Sequence, residues 1–109
     1  MSEDVKPVIL NIQARQDRTG TTITLEGEFD MSGTERFWAY FSEALETLPG
    51  SIRFDASGLI FIDSSGPLAL VRARDAATGA GVAFDIREPS RELRRIAELC
   101  GLEDLLPDE

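Results

Sequence analysis

Apolar and polar residues alternate near the start of the chain in a way that predicts two paired strands. Over residues 22–29, apolar residues such as Ile23 and Leu25 alternate with threonines and glutamates, which is the period-two pattern of a strand with one buried face. A β-prone run at residues 8–15 precedes it, and a turn at residues 17–20 separates the two. We therefore expect these strands to pair as a hairpin.

The next segment changes to helical spacing. Ser32 followed by Glu35 fits a capping box, in which a hydroxyl and a carboxylate satisfy backbone N–H groups, and this predicts a helix start. Aromatic and aliphatic residues then recur at helical spacing and form one apolar stripe, until Pro49 and Gly50 end the helix. An aromatic stripe can be a ligand platform, but at this spacing it is typical of core packing, and we interpret it as core. The stripe consists of Phe37, Trp38, Phe41, Ala44, Leu45 and Leu48.

A third strand and a second helix meet at a serine-containing turn. The strand begins at Ile52 and ends with four consecutive apolar residues at positions 59–62, a run that predicts a strand covered on both faces. The turn at residues 63–66 follows. Pro67 then suits the first turn of a helix that runs to residue 78, because an N–H at that position would have no intrahelical partner.

The remaining chain predicts one more strand and one more helix. Residues 79–81 break the second helix, and apolar residues alternate over residues 82–86. Ser90 can cap the last helix, and Gly101 is well placed as its left-handed terminator. The residues predicted to face inward on this helix are Leu93, Ile96, Ala97 and Cys100.

The element order β-β-α-β-α-β-α predicts an α/β fold. Strands joined through helices favour a mostly parallel sheet covered by helices. We expect a mostly parallel four-stranded sheet with an antiparallel N-terminal hairpin strand, covered by about three helices. With 109 residues, the chain has the length of one domain, which we place at residues 1–109, with residues 1–7 as a flexible N-terminal tail.

Charge and hydropathy narrow the possible partners. The formal net charge is −9, so the long-range field repels nucleic acid backbones and anionic lipid headgroups. No apolar run reaches the ~18 residues of a membrane span, and the first residues lack the features of a signal peptide. We expect no nucleic acid partner and no membrane insertion. A protein with a neutral or basic face is the favoured partner.

The residue types present restrict the possible chemistry. Histidine is absent, which excludes Ser-His and Cys-His nucleophile pairs and histidine metal sites. Cys100 is the only cysteine, so an internal disulfide is excluded and a reducing, cytoplasmic location is favoured. Lys6 is the only lysine and lies in the predicted tail. Asp63 beside Ser64 could suggest a nucleophile, but nothing suitable accepts the proton, and we expect no enzyme.

The turn at residues 63–66 has two interpretations on physical grounds. It lies where the carboxyl end of a strand meets a helix start, and backbone N–H groups there are unpaired and can hold a phosphate on Ser64. Alternatively, Asp63, Ser64 and Ser65 only cap the helix, as such residues commonly do.

Three motifs together resemble a known family. The run Phe61-Ile62-Asp63-Ser64-Ser65-Gly66 looks like the phosphorylation loop of STAS-domain anti-sigma factor antagonists. Gly27-Glu28-Phe29-Asp30 is similar to the Gly-Glu-Leu-Asp motif at the end of their second strand. Cys100-Gly101-Leu102 with Leu105-Leu106-Pro107 resembles their usual ending. The motifs occur in the family's order and spacing over nearly the whole chain.

The resemblance implies partner switching in a bacterial cytoplasm. The unphosphorylated domain would bind an anti-sigma factor that is also a serine kinase and so free the sigma factor. Phosphorylation at Ser64, the position of the family's acceptor, would end the binding. Asp30 is implied as a kinase contact, with a turn or capping residue as the alternative, and Asp63, Ser65 and Gly66 as the residues that shape the loop. ATP belongs to the kinase, so no cofactor is implied.

One departure and one alternative function accompany this resemblance. Pro67 stands where the family usually has an aliphatic residue, and it removes one N–H from the helix start. The alternative is a STAS domain that serves as a constitutive scaffold, similar to the cytoplasmic accessory subunit of lipid-transport ABC complexes. In that case the same loop would bind an ATPase subunit whether or not Ser64 is phosphorylated.

Overall fold

The chain begins with the predicted hairpin. A computed structural model describes residues 9–108, so the predicted tail at residues 1–7 lies outside the described residues. Strand β1, Leu10–Asp17, pairs antiparallel with strand β2, Gly20–Phe29. The connecting turn is stabilised by Asp17, whose Oδ1 accepts the backbone N–H of Thr19 at 2.8 Å.

A mixed four-stranded sheet forms the middle of the molecule, in the order β1-β2-β3-β4. Strand β3, Ser51–Ile62, and strand β4, Ala83–Arg87, pair parallel with their neighbours. Three α-helices complete the fold within residues 9–108: α1, Thr34–Glu46; α2, Ser65–Gly79; and α3, Arg91–Leu99. Short 3-10 turns lie at Met31–Gly33 and Glu103–Leu105. The predicted α/β class and sheet arrangement are confirmed.

The aromatic stripe of α1 packs into the core. Phe37 and Phe41 are each 1% exposed, and the ring of Phe37 lies 5.3 Å from that of Phe29 and 5.5 Å from that of Phe54. The interpretation of this stripe as core is therefore confirmed for the residues within the helix. Leu48 is an exception at 66% exposed, because α1 has ended and the backbone there turns to φ 49°.

The predicted capping box at the start of α1 is wrong. Ser32 lies in the 3-10 turn that precedes α1, and its hydroxyl donates to Oδ1 of Asp30 at 2.6 Å. The α-helix begins two residues later than Ser32, and Gly33 occupies the N-cap position without a side-chain bond. The stronger acceptor, the Asp30 carboxylate, therefore organises this turn.

The end of α3 differs from the prediction at one residue. Ser90 caps the helix by accepting the N–H of Leu93 at 3.1 Å, and Gly101 has the expected left-handed φ of 73°. Cys100, predicted to face inward, is exposed. The chain reverses at Gly101, and Leu102 packs against the core instead, donating its N–H to Ala97 O at 2.8 Å.

The apolar end of β3 is not covered on both faces, contrary to the prediction. Ile60 is 62% exposed and Phe61 is 50% exposed. Two observations explain this. The pairing of β4 with β3 stops at Asp55, so the last part of β3 has no strand neighbour on that side. The register between β2 and β3 also shifts before Phe61, and one residue of β3 is displaced outward.

Candidate functional site

The carboxyl ends of β2 and β3 bring two of the predicted site residues to one edge of the sheet. Phe29 and Ile62 are partners in the parallel ladder, and the next residues are Asp30 and Asp63. The backbone N–H of Asp63 donates to Phe29 O at 3.2 Å, which holds the two strand ends together. We call Asp30, Asp63, Ser64, Ser65 and Gly66 the strand-end site.

Asp63 is the residue that caps α2. Its Oδ1 accepts the backbone N–H of Ser65 at 2.9 Å and the Ser65 hydroxyl at 2.5 Å. Its backbone oxygen accepts the N–H of Gly66 at 3.1 Å. Asp63 and Ser65 are both partly buried. The capping interpretation is thus confirmed for this pair, which shapes the start of the helix.

Ser64 differs from both of its neighbours. It is exposed and occupies the N-cap position of α2, yet its side chain makes no capping hydrogen bond. Its backbone oxygen accepts the N–H of Leu68 at 3.4 Å, the first bond of the helix ladder. The backbone of Ser64 is therefore fixed at the helix start, whereas its hydroxyl is exposed and makes no capping bond.

Asp30 repeats the geometry of Asp63. Its Oδ1 accepts the backbone N–H of Ser32 at 2.9 Å and the Ser32 hydroxyl at 2.6 Å. These bonds, the hydroxyl bond first, hold the pKa of Asp30 below its ordinary value of 3.8, so the carboxylate is ionised at neutral pH. The interpretation of Asp30 as a turn residue is confirmed, and its negative charge lies at the strand-end site.

Gly66 and Pro67 seat α2 closely against the end of β3. A Cβ on Gly66 would lie 2.6 Å from Cγ2 of Ile62 and 3.6 Å from the ring of Phe29. Both Gly66 and Pro67 are buried. Small size at position 66 is thus a packing requirement of the strand-end site.

The start of α2 does not offer the unpaired N–H groups that we predicted as a phosphate cradle. Asp63 already accepts the N–H groups of Ser65 and Gly66, and Pro67 has none. That prediction is wrong for these positions in the unphosphorylated chain. A phosphate on Ser64 would have to compete with the Asp63 carboxylate or point into solvent.

Two exposed apolar residues beside the strand-end site were not predicted. Met31, directly after Asp30, is 75% exposed, and Leu68 is 46% exposed. Leu68 follows Ser64 by four residues and so lies one helical turn away on the same face of α2. The spacing of four positions between Ser64 and an apolar residue was the sequence signal that could have identified Leu68.

Comparison with a family model identifies the domain type. The model described as Mlab, STAS domain, matches residues 12–107, which is nearly the whole chain. No curated protein sequence matches this chain at a significant level.

Several solved structures share the fold. The anti-sigma factor antagonist SpoIIAA in its unphosphorylated form is similar with a TM-score of 0.74 and 24% identity, over 91% of this chain and 88% of that one. The phosphorylated Bacillus SpoIIAA gives 0.70 and 24%, over 91% of each chain. An anti-sigma factor antagonist from Mycobacterium paratuberculosis gives 0.72 and 20%, over 90% of this chain and 83% of its own. At these identities the likeness establishes the fold.

Proposed function

The chain belongs to the STAS domain family, and from that premise we propose that it is an anti-sigma factor antagonist controlled by phosphorylation of Ser64. The observation that carries the proposal is the exposed Ser64 hydroxyl, which makes no capping bond and follows Asp63 at the end of β3, beside the strand end that leads into Asp30. The unphosphorylated form would bind an anti-sigma factor with serine kinase activity and thereby free the sigma factor. ATP would bind to the kinase, and this chain would need no cofactor and catalyse no reaction.

Hydrogen bonds of the two neighbouring serines, Ser65 and Ser32, favour Ser64 over both of them as the acceptor. The hydroxyl of Ser65 donates to Asp63 at 2.5 Å and is partly buried. The hydroxyl of Ser32 donates to Asp30 at 2.6 Å. Phosphorylation of either would break a turn, whereas phosphorylation of Ser64 breaks no side-chain hydrogen bond.

A phosphate on Ser64 would change the docking surface without refolding the domain. It adds close to two negative charges beside the carboxylates of Asp30 and Asp63. Met31, next to Asp30 in the chain, and Leu68, one helical turn after Ser64, supply exposed apolar area, which a partner would bury against the domain. Burial of the apolar residues would then require desolvation of a dianion that the start of α2 cannot neutralise, and this would release the partner.

The same charges suit a kinase as the partner. The net charge of −9 favours a partner with a neutral or basic face, and Asp30 with Asp63 would offer two fixed carboxylates to hydrogen-bond donors on that face. We propose that Asp30, Asp63, Ser65 and Gly66 are part of the bound surface. In this proposal residues 1–109 act as one domain in the bacterial cytoplasm, where the kinase and sigma factor would be found.

A second candidate is a constitutive scaffold that binds an ABC-transporter ATPase. The observation that favours it is the first turn of α2, in which Pro67 lacks an N–H and Asp63 accepts the N–H groups of Ser65 and Gly66. A helix start of this kind gives little stabilisation to a phosphate. Under this alternative the strand-end site is a permanent contact, and Ser64 is one of its polar residues.

Phosphate transfer tests the proposal directly. The purified protein is incubated with candidate kinase and ATP, and its intact mass and phosphopeptides are measured. We expect one phosphate on the wild type and on Ser57→Ala, whose exposed serine is the third residue of the turn after Asp55, as Ser65 is after Asp63, and none on Ser64→Ala. Phosphate at another residue, or none from any cognate kinase, would contradict the proposal.

Binding separates the two candidates. We expect Ser64→Asp to lose the kinase while wild type and Ser57→Ala retain it. Co-purification of a transporter ATPase from native lysate, with binding unchanged in Ser64→Asp, would favour the scaffold.

A further inference from the structure

Strand β1 is buried over only its first half, and a cleft lies between its second half and α1. On the face of β1 toward the core, Leu10 and Ile12 are buried, whereas the next residues on that face, Ala14 and Gln16, are exposed. The cleft has a volume of about 420 Å³, a size at the lower end of small-molecule sites. We call it the β1–α1 cleft. It is lined by Ala14, Gln16, Thr21, Tyr40, Glu43, Ala44 and Thr47.

One side of α1 forms the wall opposite β1. Residues at positions i, i+3, i+4 and i+7 share one side of a helix, and here they are Tyr40, Glu43, Ala44 and, at the C-cap, Thr47. The Thr47 hydroxyl donates to Ala44 O at 2.8 Å and accepts from Nε2 of Gln16 at 3.5 Å. The second bond is at the long limit for a hydrogen bond, so Gln16 bridges the cleft only weakly.

The floor of the cleft contains a hydroxyl without a partner. Thr21 is 1% exposed, and its Oγ1 is buried and makes no hydrogen bond to any residue that the structure describes. Buried hydroxyls in folded proteins are almost always paired, and an unpaired one is destabilising. Gln16 is the cross-strand partner of Thr21, so the two side chains lie side by side on one face. A shift of the exposed Gln16 side chain away from Thr47 would open the Thr21 hydroxyl to a group in the cleft.

The polar groups of the lining are mainly acceptors. Glu43 is the only charged residue among the described residues that line the cleft. Gln16 contributes an amide oxygen. The proton of the Thr47 hydroxyl is directed to Ala44 O, so this hydroxyl is left as an acceptor. A ligand that donates hydrogen bonds and carries a positive charge therefore suits the cleft.

Arginines near the cleft do not reverse its negative sign. Arg36, the one arginine of α1, donates to a backbone oxygen at the start of β1. Arg15 belongs to the alternate set of β1 residues and lines a different hollow on the opposite face of the sheet. Arg18 lines an adjoining hollow at the β1–β2 turn together with Asp17, so a cation and an anion are both present there. Within the cleft itself, the field is set by Glu43.

We propose that the β1–α1 cleft binds a primary ammonium group carried on a short carbon chain. An ammonium group donates three hydrogen bonds, which match the Glu43 carboxylate, the Thr21 hydroxyl and the amide oxygen of Gln16. The carbon chain lies against the Tyr40 ring and the two alanines of the cleft. Thr21 lies at the start of β2 and the strand-end site follows the end of β2, so this site is separate and does not rest on the proposed function.

Titration with three small compounds tests the proposal. Two probes carry the ammonium group: diaminobutane as a free amine, and a capped lysine, N-acetyl-lysine methylamide, as a protein side chain. Butanediol is the uncharged control. Binding to the full chain is followed by amide chemical shifts. We expect saturable shifts in β1, the start of β2 and the second half of α1, with butanediol about tenfold weaker or more. Tighter binding of diaminobutane identifies a free amine as the ligand, and tighter binding of the capped lysine identifies a protein side chain.

Matched variants assign the binding to the cleft. Glu43→Gln should weaken binding of the amine about tenfold or more, because the paired carboxylate is lost. Glu46→Gln removes an exposed glutamate of the same helix that does not line the cleft, and should bind within about twofold of wild type.

Thr21→Val tests the buried hydroxyl, since it keeps the shape of the side chain. It should weaken binding about fivefold. Without ligand it should be at least as stable as wild type in thermal unfolding, because a buried polar group without a partner is removed. The same unfolding measurement checks that the two glutamate variants are folded.

Four outcomes would overturn the proposal. Equal binding of butanediol shows that the charge is not recognised. Equal weakening by Glu43→Gln and Glu46→Gln shows only general attraction to an acidic chain. No saturable binding of either amine up to about 20 mM shows that the cleft does not take an ammonium group. Binding by Thr21→Val that equals wild type, or a clear loss of its stability, shows that the ligand does not pair with this hydroxyl. None of these outcomes bears on phosphorylation of Ser64, so failure here is separate from failure of the proposed function.

Discussion

Gly66→Ala tests whether the close packing of α2 against the end of β3 fixes the geometry of the strand-end site. The new Cβ would lie 2.6 Å from Cγ2 of Ile62 and 3.6 Å from the ring of Phe29. Ile62 is 8% exposed and β-branched, and Phe29 is fully buried, so neither side chain can move aside easily. Relief requires α2 to move away from the end of β3, and the bonds between Asp63 and Ser65 would then lengthen.

The change in the free energy of unfolding of Gly66→Ala combines two opposing effects. Overpacking of a core contact costs about 1–3 kcal/mol. Replacement of glycine by alanine in a helix stabilises it by up to about 1 kcal/mol. We therefore expect Gly66→Ala to lower the free energy of unfolding by about 1 kcal/mol. Neither Gly66 nor Gly79 has a positive φ, so backbone strain does not enter.

Gly79→Ala is the matched control in the same helix. A Cβ at Gly79 meets nothing within 4 Å, so only the propensity gain remains, and this variant should be more stable than wild type by about 0.5 kcal/mol. The difference between the two variants isolates the overpacking cost, about 1–3 kcal/mol, which corresponds to roughly 4–12 °C in Tm for a domain of this size.

Urea unfolding, followed by the fluorescence of Trp38, measures this difference. Both variants should keep the wild-type m-value, so that the midpoints report stability alone. Equal stability of Gly66→Ala and Gly79→Ala would refute the packing argument, because the 2.6 Å approach would then be relieved without cost. In that case the glycine in the motif would have to be explained by partner contact.

Two further predictions concern the turns. Ser90→Ala removes the hydroxyl that accepts the N–H of Leu93 at 3.1 Å and should lower the free energy of unfolding by about 1 kcal/mol; an unchanged urea midpoint would contradict this. Ser32→Ala should raise the pKa of Asp30 toward 3.8, as measured by carboxyl NMR titration, while the pKa of Asp17 stays in place. In the wild type, a lowered folded-state pKa stabilises the folded protein at pH values above the unfolded pKa, and this stabilisation is lost as the pH falls through the folded pKa. Ser32→Ala should therefore be less stable than wild type at neutral pH, and the difference in stability should shrink in acid. An unchanged Asp30 pKa would show that Ser32 does not control it.

The regular elements were predictable because their patterns are local. The alternation in β2, the aromatic spacing of α1, the cap at Ser90 and the terminator at Gly101 each depend on residues that are close in sequence. Such patterns indicate which face of a helix or strand is apolar. They do not state whether another element covers that face.

The exposure of Ile60 and Phe61 could not be predicted for that reason. Four apolar residues at the end of β3 look the same in sequence whether β4 is long or short. The length of β4 and the register shift between β2 and β3 decide that Ile60 and Phe61 are exposed. Cys100 is similar, since the chain reversal at Gly101 brings Leu102 rather than Cys100 to the core.

The sequence contains a repeated aspartate capping pattern that the predictions did not include. The pattern Asp, any residue, then Ser or Thr occurs at Asp17, Asp30, Asp55 and Asp63. In each case the aspartate accepts both the N–H and the hydroxyl of the residue two positions later. This is the Asx-turn geometry. Recognition of the pattern at Asp30 would have replaced the capping box that we predicted at Ser32.

The same geometry explains why one of two adjacent serines is available. In each Asx turn the third residue gives its N–H and hydroxyl to the aspartate, and the middle residue gives neither. In Asp63-Ser64-Ser65 the second serine is therefore held, and the first is free. Exposure of the middle residue then depends on position: Ala56 is fully buried within β3, whereas Met31 is 75% exposed where β2 ends. Ser64 follows the end of β3, so local geometry and fold together make its hydroxyl accessible, independently of any family resemblance.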